Sequence, residues 1–186
     1  MNRMLLLSVL GTAALLAACS NNKPMMTSAA AQPNAVAEPI RVPTGHSMVM
    51  QTVGAGQLLY ECKLKANTTD AHEWTFVGPT ATLMDRSGKT VGKYYGPPAT
   101  WESLDGSKVT ATQVAIAPGG AGNIPLQLVK ANPAQGSGSM SGITYIQRVA
   151  TKGGAAPGTP CSGANAGAKQ TVEYQADYLF WKASAS

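Results

Sequence analysis

Histidine is scarce in this 186-residue sequence: His46 and His72 stand in different segments, with no ligand pattern beside either. A zinc site needs three or four ligands converging on one point, so no metal centre is expected, and nothing else calls for a cofactor. A serine-hydrolase elbow is also missing, because the centre of "GSMSG" (138–142) is Met140. "GAGQLL" (54–59) lacks the third glycine of a dinucleotide loop, and no helical pattern follows it. Charged residues make up only 12% of the chain, and the net charge of +5 is scattered, without a Lys/Arg run or interleaved aromatics. That distribution describes a solvated surface and excludes a nucleic-acid-binding face. After residue 40 no stretch carries a sustained helical stripe with caps, which excludes a helical domain.

The N-terminus carries the plainest signal. Met1-Asn2-Arg3 is a short cationic start, and Met4 to Leu16 is an apolar run broken only by small residues. Such a run is too short to span a bilayer but suits a secretory signal. It ends in Leu16-Ala17-Ala18-Cys19, which resembles a bacterial lipoprotein lipobox. The resemblance implies a signal peptide over 1–18 and a lipid thioether on Cys19, the only side chain there able to take it. Ser20 follows the cysteine, and by the sorting rule of diderm bacteria a residue other than aspartate there implies the outer membrane. The expected membrane partner is therefore the bilayer itself, held through several acyl chains, since one chain binds only marginally. Residues 19–40, with Pro24, Pro33 and Pro39 among alanines and polar residues, read as the lipidated cysteine and a flexible tether. A single domain is expected over 41–182, followed by a tail at 183–186.

Removing the lipidated cysteine leaves Cys62 and Cys161, an even pair in an oxidising compartment, and a disulfide between them is expected. "ATKGGAAPGTPCSG" (150–163) then reads as the run-up to that bond rather than as a phosphate cradle.

The apolar pattern is that of β-structure. "QLLYECKLK" (57–65) sets Leu58, Tyr60, Cys62 and Leu64 on one face. "VEYQADYLF" does the same for Val172, Tyr174, Ala176, Tyr178 and Phe180, against Glu173, Gln175 and Asp177. Shorter alternations occur in 72–77, 81–85, 104–116, 124–130 and 142–151, with turn signals at Ser87-Gly88 and Asp105-Gly106. The predicted fold is all-β: an antiparallel sandwich or barrel-like domain of short strands with long Gly/Pro loops.

The succession "GQLLYECKL", "EWTFVGPTATLMDRSGKTVGKYYGPPATWESLDGSKV", "IPLQLVKA", "ITYIQRVATKGGAAPGTPC" and "YQADYLFW" is similar to domain-of-unknown-function family 3455. The resemblance covers 41–182 and implies a secreted or lipid-anchored all-β domain with no established activity. Where that family usually has a histidine before its aromatic–Gly–Pro segment, this chain carries Lys93 or Tyr94, and the interval from Gly96 to Trp101 is one residue longer.

"KYYGPPATWESLDGS" (93–107) concentrates rings, prolines and carboxylates in one place. Tyr94 and Tyr95 adjoin on a strand, so one faces in and the other out. Trp101 is expected to pack in the core with its indole N–H hydrogen-bonded. The prolines Pro97 and Pro98 keep the exit from pairing as a central strand. The candidate ligand rim is Tyr94, Tyr95, Trp101, Glu102, Asp105 and Arg148. Two function classes follow: a non-enzymatic binding or structural envelope domain, with a glycan or envelope protein as partner, and an envelope hydrolase acting on glycans or esters. For the second, Glu102 and Asp105 are a conceivable carboxylate pair, although Asp105-Gly106 reads more simply as turn chemistry. The first is preferred, because no nucleophile, base and metal constellation is present.

Overall fold

The computed structural model describes residues 36–185; the expected signal peptide, Cys19 and the first part of the tether lie outside the described residues. Eight antiparallel strands close into a barrel in simple sequence order. They are β1 (His46–Leu64), β2 (His72–Met84), β3 (Thr90–Tyr95), β4 (Thr100–Ser103), β5 (Lys108–Ala117), β6 (Leu126–Ala131), β7 (Tyr145–Gly153) and β8 (Lys169–Ala183). Closure comes from β1, whose residues pair with β8 on one edge and with β2 on the other. Of the two β architectures expected, the barrel is therefore the one adopted, and it leaves no open sheet edge.

The strands are not uniformly short. β1 runs for 19 residues and begins at His46, well before the alternation that starts at Gln57. Gly54 and Gly56 lie inside it because the barrel wall is crowded there: a Cβ on Gly54 would sit 2.5 Å from Tyr178 Cε2. Likewise 72–77 and 81–85 belong to a single strand, β2, which continues through Gly78 and Pro79.

Alternation places Leu58, Tyr60, Ala81, Leu83, Tyr94, Trp101, Val109, Ile146, Tyr174, Ala176, Tyr178 and Phe180 in one buried cluster, the barrel interior. A second cluster lies on the outer wall, where Ala117, Leu128, Leu179 and Trp181 meet Ile40 and Val42. The tether was expected to extend to residue 40, but its end is packed structure. A 3₁₀ turn at Glu38–Ile40 presses Ile40 onto the wall, fully buried, and Gln147 Nε2 donates to the Ile40 carbonyl at 2.7 Å. The outer face of β7 and β8 is thus apolar because these few residues cover it. The expected tail also begins inside the structure: Ala183 pairs with His46, and Ser184 N donates to Gly45 O at 2.8 Å.

In this topology successive loops alternate between the two ends of the barrel. One end is closed by the 132–144 connection, whose Met140 and Ile143 are buried in the interior cluster. The other end is ringed by the 65–71, 96–99, 118–125 and 154–168 connections. The last of these is held by a Cys62–Cys161 disulfide, Cα–Cα 5.5 Å, and by Trp74 Nε1 donating to Thr159 O at 2.8 Å.

Candidate functional site

The six residues of the expected rim do not converge. β3 and β4 pair Tyr94 with Trp101 on the inner face and Lys93 with Glu102 on the outer. Tyr94 and Trp101 are buried and stacked, ring centroids 4.5 Å apart. One tyrosine in and one out is the arrangement found, with Tyr95 on the outer wall.

On that outer wall Tyr95 OH donates to Glu102 Oε2 at 2.7 Å, and Lys93 Nζ lies 3.2 Å from Glu102 Oε1. The Tyr95 hydrogen bond, followed by Lys93, holds the Glu102 carboxyl below its ordinary range, and the same hydrogen bond raises Tyr95. A carboxylate so placed is held ionised and is a poor general acid.

Asp105 lies at the closed end and acts as a brace. Its Oδ1 accepts from Ser107 N at 2.9 Å and from Ser107 Oγ, while Oδ2 accepts from Ser139 N and Ser139 Oγ, both at 2.7 Å. The Ser107 hydroxyl is the largest cause of a strongly lowered carboxyl pKa, with Ser139 next. Asp105 thereby ties the β4–β5 turn to the 132–144 connection. It lines neither the cavity that Arg148 lines nor the groove that Glu102 lines, so the carboxylate pair imagined for hydrolysis is not assembled there.

Arg148 is different. On β7 it pairs across to Gln127 and Tyr178 and points into the barrel beneath the open end. It is 8% exposed, and among the described residues its one side-chain hydrogen bond runs from Nε to Pro125 O at 3.0 Å. Among the described residues no carboxylate pairs with it. Its charge instead acts on four tyrosines: it partly offsets the upward shift that burial imposes on Tyr60, Tyr94, Tyr174 and Tyr178.

Arg148 lines a cavity of about 410 Å³ at the open end. The walls are Tyr60, Phe76, Tyr94 and Trp101 on one side and Ile116, Ile124, Pro125 and Val129 on the other, with Gln113 and Gln127 between. Tyr60 is fixed by donating to Gly154 O at 2.8 Å. Phe76, 45% exposed, leans edge-on over Tyr60 at 5.7 Å and forms the lip. Gln127 Nε2 donates to Gln113 Oε1 at 2.7 Å, which keeps both amides oriented. The Trp101 indole N–H, expected to be hydrogen-bonded, has no partner among the described residues. Of the expected rim, then, Tyr94, Trp101 and Arg148 share one cavity, while Tyr95, Glu102 and Asp105 lie elsewhere.

A second hollow, about 500 Å³, lies on the outer wall beside Val36 and Ile40. Its charged groups already satisfy one another, since Asp177 Oδ2 accepts from Arg86 at 3.0 Å and from Gln51 at 3.1 Å. Among the described residues no group of three His, Cys, Asp or Glu side chains could hold a metal ion.

The family model described as a protein of unknown function, DUF3455, matches residues 43–182, which is the barrel from just before β1 almost to the end of β8. The chain belongs to this family. Comparison with curated proteins and with solved structures returned no match. In this DUF3455 domain, sequence reasoning had no reason to single out Tyr60, Phe76, Gln113 and Gln127. The shared face of Tyr60 with Leu58 and Cys62 was visible, but closure of the barrel is what turns that face into a cavity wall.

Proposed function

We propose that the protein is a lipid-anchored envelope protein whose barrel is a non-catalytic binding domain, with the open end as its binding site. The observation that carries this reading is the aromatic-walled cavity with Arg148 at its base. Small-molecule sites are concave, mostly apolar, and oriented by a few placed polar groups, and this cavity falls in their usual size range. The chain enters β1 at the opposite, closed end, and the 36–42 segment lies on the outer wall, so neither obstructs the opening. A hydrolytic role finds less support, because Glu102 and Asp105 are engaged elsewhere and, among the described residues, no carboxylate or histidine lines the cavity.

Thermal-shift screening of the full chain against a library of small apolar, anionic and cationic compounds tests the reading. Binders should raise the melting temperature of the wild type and lose that effect in Ala111→Phe, which narrows the cavity. A library without a single binder, or binders indifferent to Ala111→Phe, would overturn it.

A further inference from the structure

We infer that the open-end cavity is a receptor for small amphipathic monocarboxylates, with the ligand carboxylate on the Arg148 guanidinium and its apolar body between Phe76, Tyr60 and Trp101. This rests on the binding-domain reading above and adds the chemical class of the ligand.

Arginine keeps its charge at any pH the protein meets, and a buried charge calls for a partner. Arg148 is more than nine-tenths buried, yet only Nε is engaged, with a neutral backbone carbonyl. The two terminal nitrogens carry four N–H donors in a rigid fork, and no described residue accepts from them. Arg148 lines the cavity, and neither terminal nitrogen is among the sealed side-chain atoms without partners in the described residues, which are Thr52 Oγ1, Trp101 Nε1, Gln147 Oε1, Thr151 Oγ1 and Trp181 Nε1. The fork is therefore buried from bulk solvent, open to the cavity and unsatisfied by the fold.

The surrounding tyrosines cannot neutralise it. Tyr60, Tyr94, Tyr174 and Tyr178 are all shifted upward by burial and stay uncharged around neutrality. One net positive charge selects a monoanion, because a phosphate monoester would bring a second negative charge without a counterpart. A planar carboxylate matches the fork with two parallel hydrogen bonds, the strong geometry for this pair. Above the fork the walls are mostly aromatic and aliphatic, with Gln113 and Gln127 joined by one hydrogen bond, so the rest of the ligand is mainly apolar.

Isothermal titration calorimetry on the full chain in lipid nanodiscs, with empty discs subtracted, tests this using 3-phenylpropionate, 3-phenylpropanol and 3-phenylpropylamine. The acid should bind at least tenfold more tightly than the alcohol, and the amine should not bind. Arg148→Gln should bring the affinity for the acid down to that for the alcohol and leave the alcohol unchanged. Arg148→Lys, which keeps the charge but loses the fork, should fall between. Equal binding of acid and alcohol by the wild type would overturn the carboxylate assignment while leaving the cavity a binding site. Binding of none of the three would likewise overturn the carboxylate assignment, while the binding-site reading falls only if the library screen also finds no binder. The wild-type series decides the matter even if a variant fails to fold.

Discussion

Tyr94 and Trp101 face each other across β3 and β4 inside the barrel, ring centroids 4.5 Å apart and planes 23° apart. Tyr178 closes the group from β8, 5.1 Å from Tyr94 and edge-on to Trp101 at 5.7 Å. The hairpin of β3 and β4 is thus joined to β8 through its rings, and Tyr94 and Trp101 also line the cavity.

Trp101 is 1% exposed, so truncation removes a large buried ring from the middle of this group. Trp101→Ala should destabilise by about 3–5 kcal/mol, as large aromatic truncations in cores do. Urea unfolding measures the change. A melt indistinguishable from the wild type would mean that the ring contributes nothing to the core.

The limits of the sequence can be traced to particular residues. The inward face of β8 was legible from Val172 to Phe180 because strict alternation needs only one buried side. The burial of Leu179 and Trp181 on the other side was not, since their cover, Ile40 and Val42, is remote in sequence and follows a proline-rich stretch. The first part of β1 was hidden for a related reason. Both its faces are partly covered, its register shifts between Met48 and Met50, and its glycines read as loop residues. The core position of Trp101 could be argued from its strand. The cavity could not, because Arg148, Tyr60 and Phe76 meet only when β1 and β8 close the barrel.

The packed end of the tether gives a second test. Ile40 is completely buried on the outer wall, and Ile→Ala at such a site costs about 2–5 kcal/mol. Ile40→Ala should lower stability in that range and expose Trp181, shifting its emission to the red. If residues 36–42 were merely a spacer, neither the unfolding midpoint nor the emission would change.

Four interior tyrosines make the barrel sensitive to alkali. Tyr60, Tyr94, Tyr174 and Tyr178 have folded-state pKa values above the ordinary value, chiefly because burial disfavours the phenolate. The unfolded chain ionises them near pH ~10. Their contribution is therefore fully present below that pH and is lost as pH rises through the folded-state values. Absorbance at the tyrosinate band should carry a late component from the interior set, rising together with loss of near-ultraviolet circular dichroism. A single non-cooperative rise with the fold intact would contradict the buried assignment.

Anchoring turns on a residue outside the described region. Cys19 is the only side chain at the expected lipobox able to form the thioether, so Cys19→Ala should abolish lipidation. Incorporation of labelled palmitate checks this in cells. Equal labelling of mutant and wild type would remove the lipid-anchor proposal and leave the barrel argument untouched.

The Cys62–Cys161 bond closes a span of 99 residues, from β1 to the connection before β8. In the chain-entropy model a loop of about that length contributes roughly 4–5 kcal/mol by restricting the unfolded chain, with measured values often lower. The barrel does not depend on it for topology, since β1 pairs with β8 and β2 through backbone hydrogen bonds of its own. The 154–168 connection also keeps noncovalent ties, among them Tyr60 to Gly154, Trp74 to Thr159 and the backbone bonds of Cys62 with Gly167 and Ala168. Reduction should therefore lower the denaturation midpoint substantially while far-ultraviolet circular dichroism stays that of the barrel. Hydrogen exchange should rise selectively in 154–168, because that segment loses its covalent hold. Loss of all β-structure on reduction would show that the disulfide is required for closure. An unchanged midpoint would show that the noncovalent ties suffice to hold the loop.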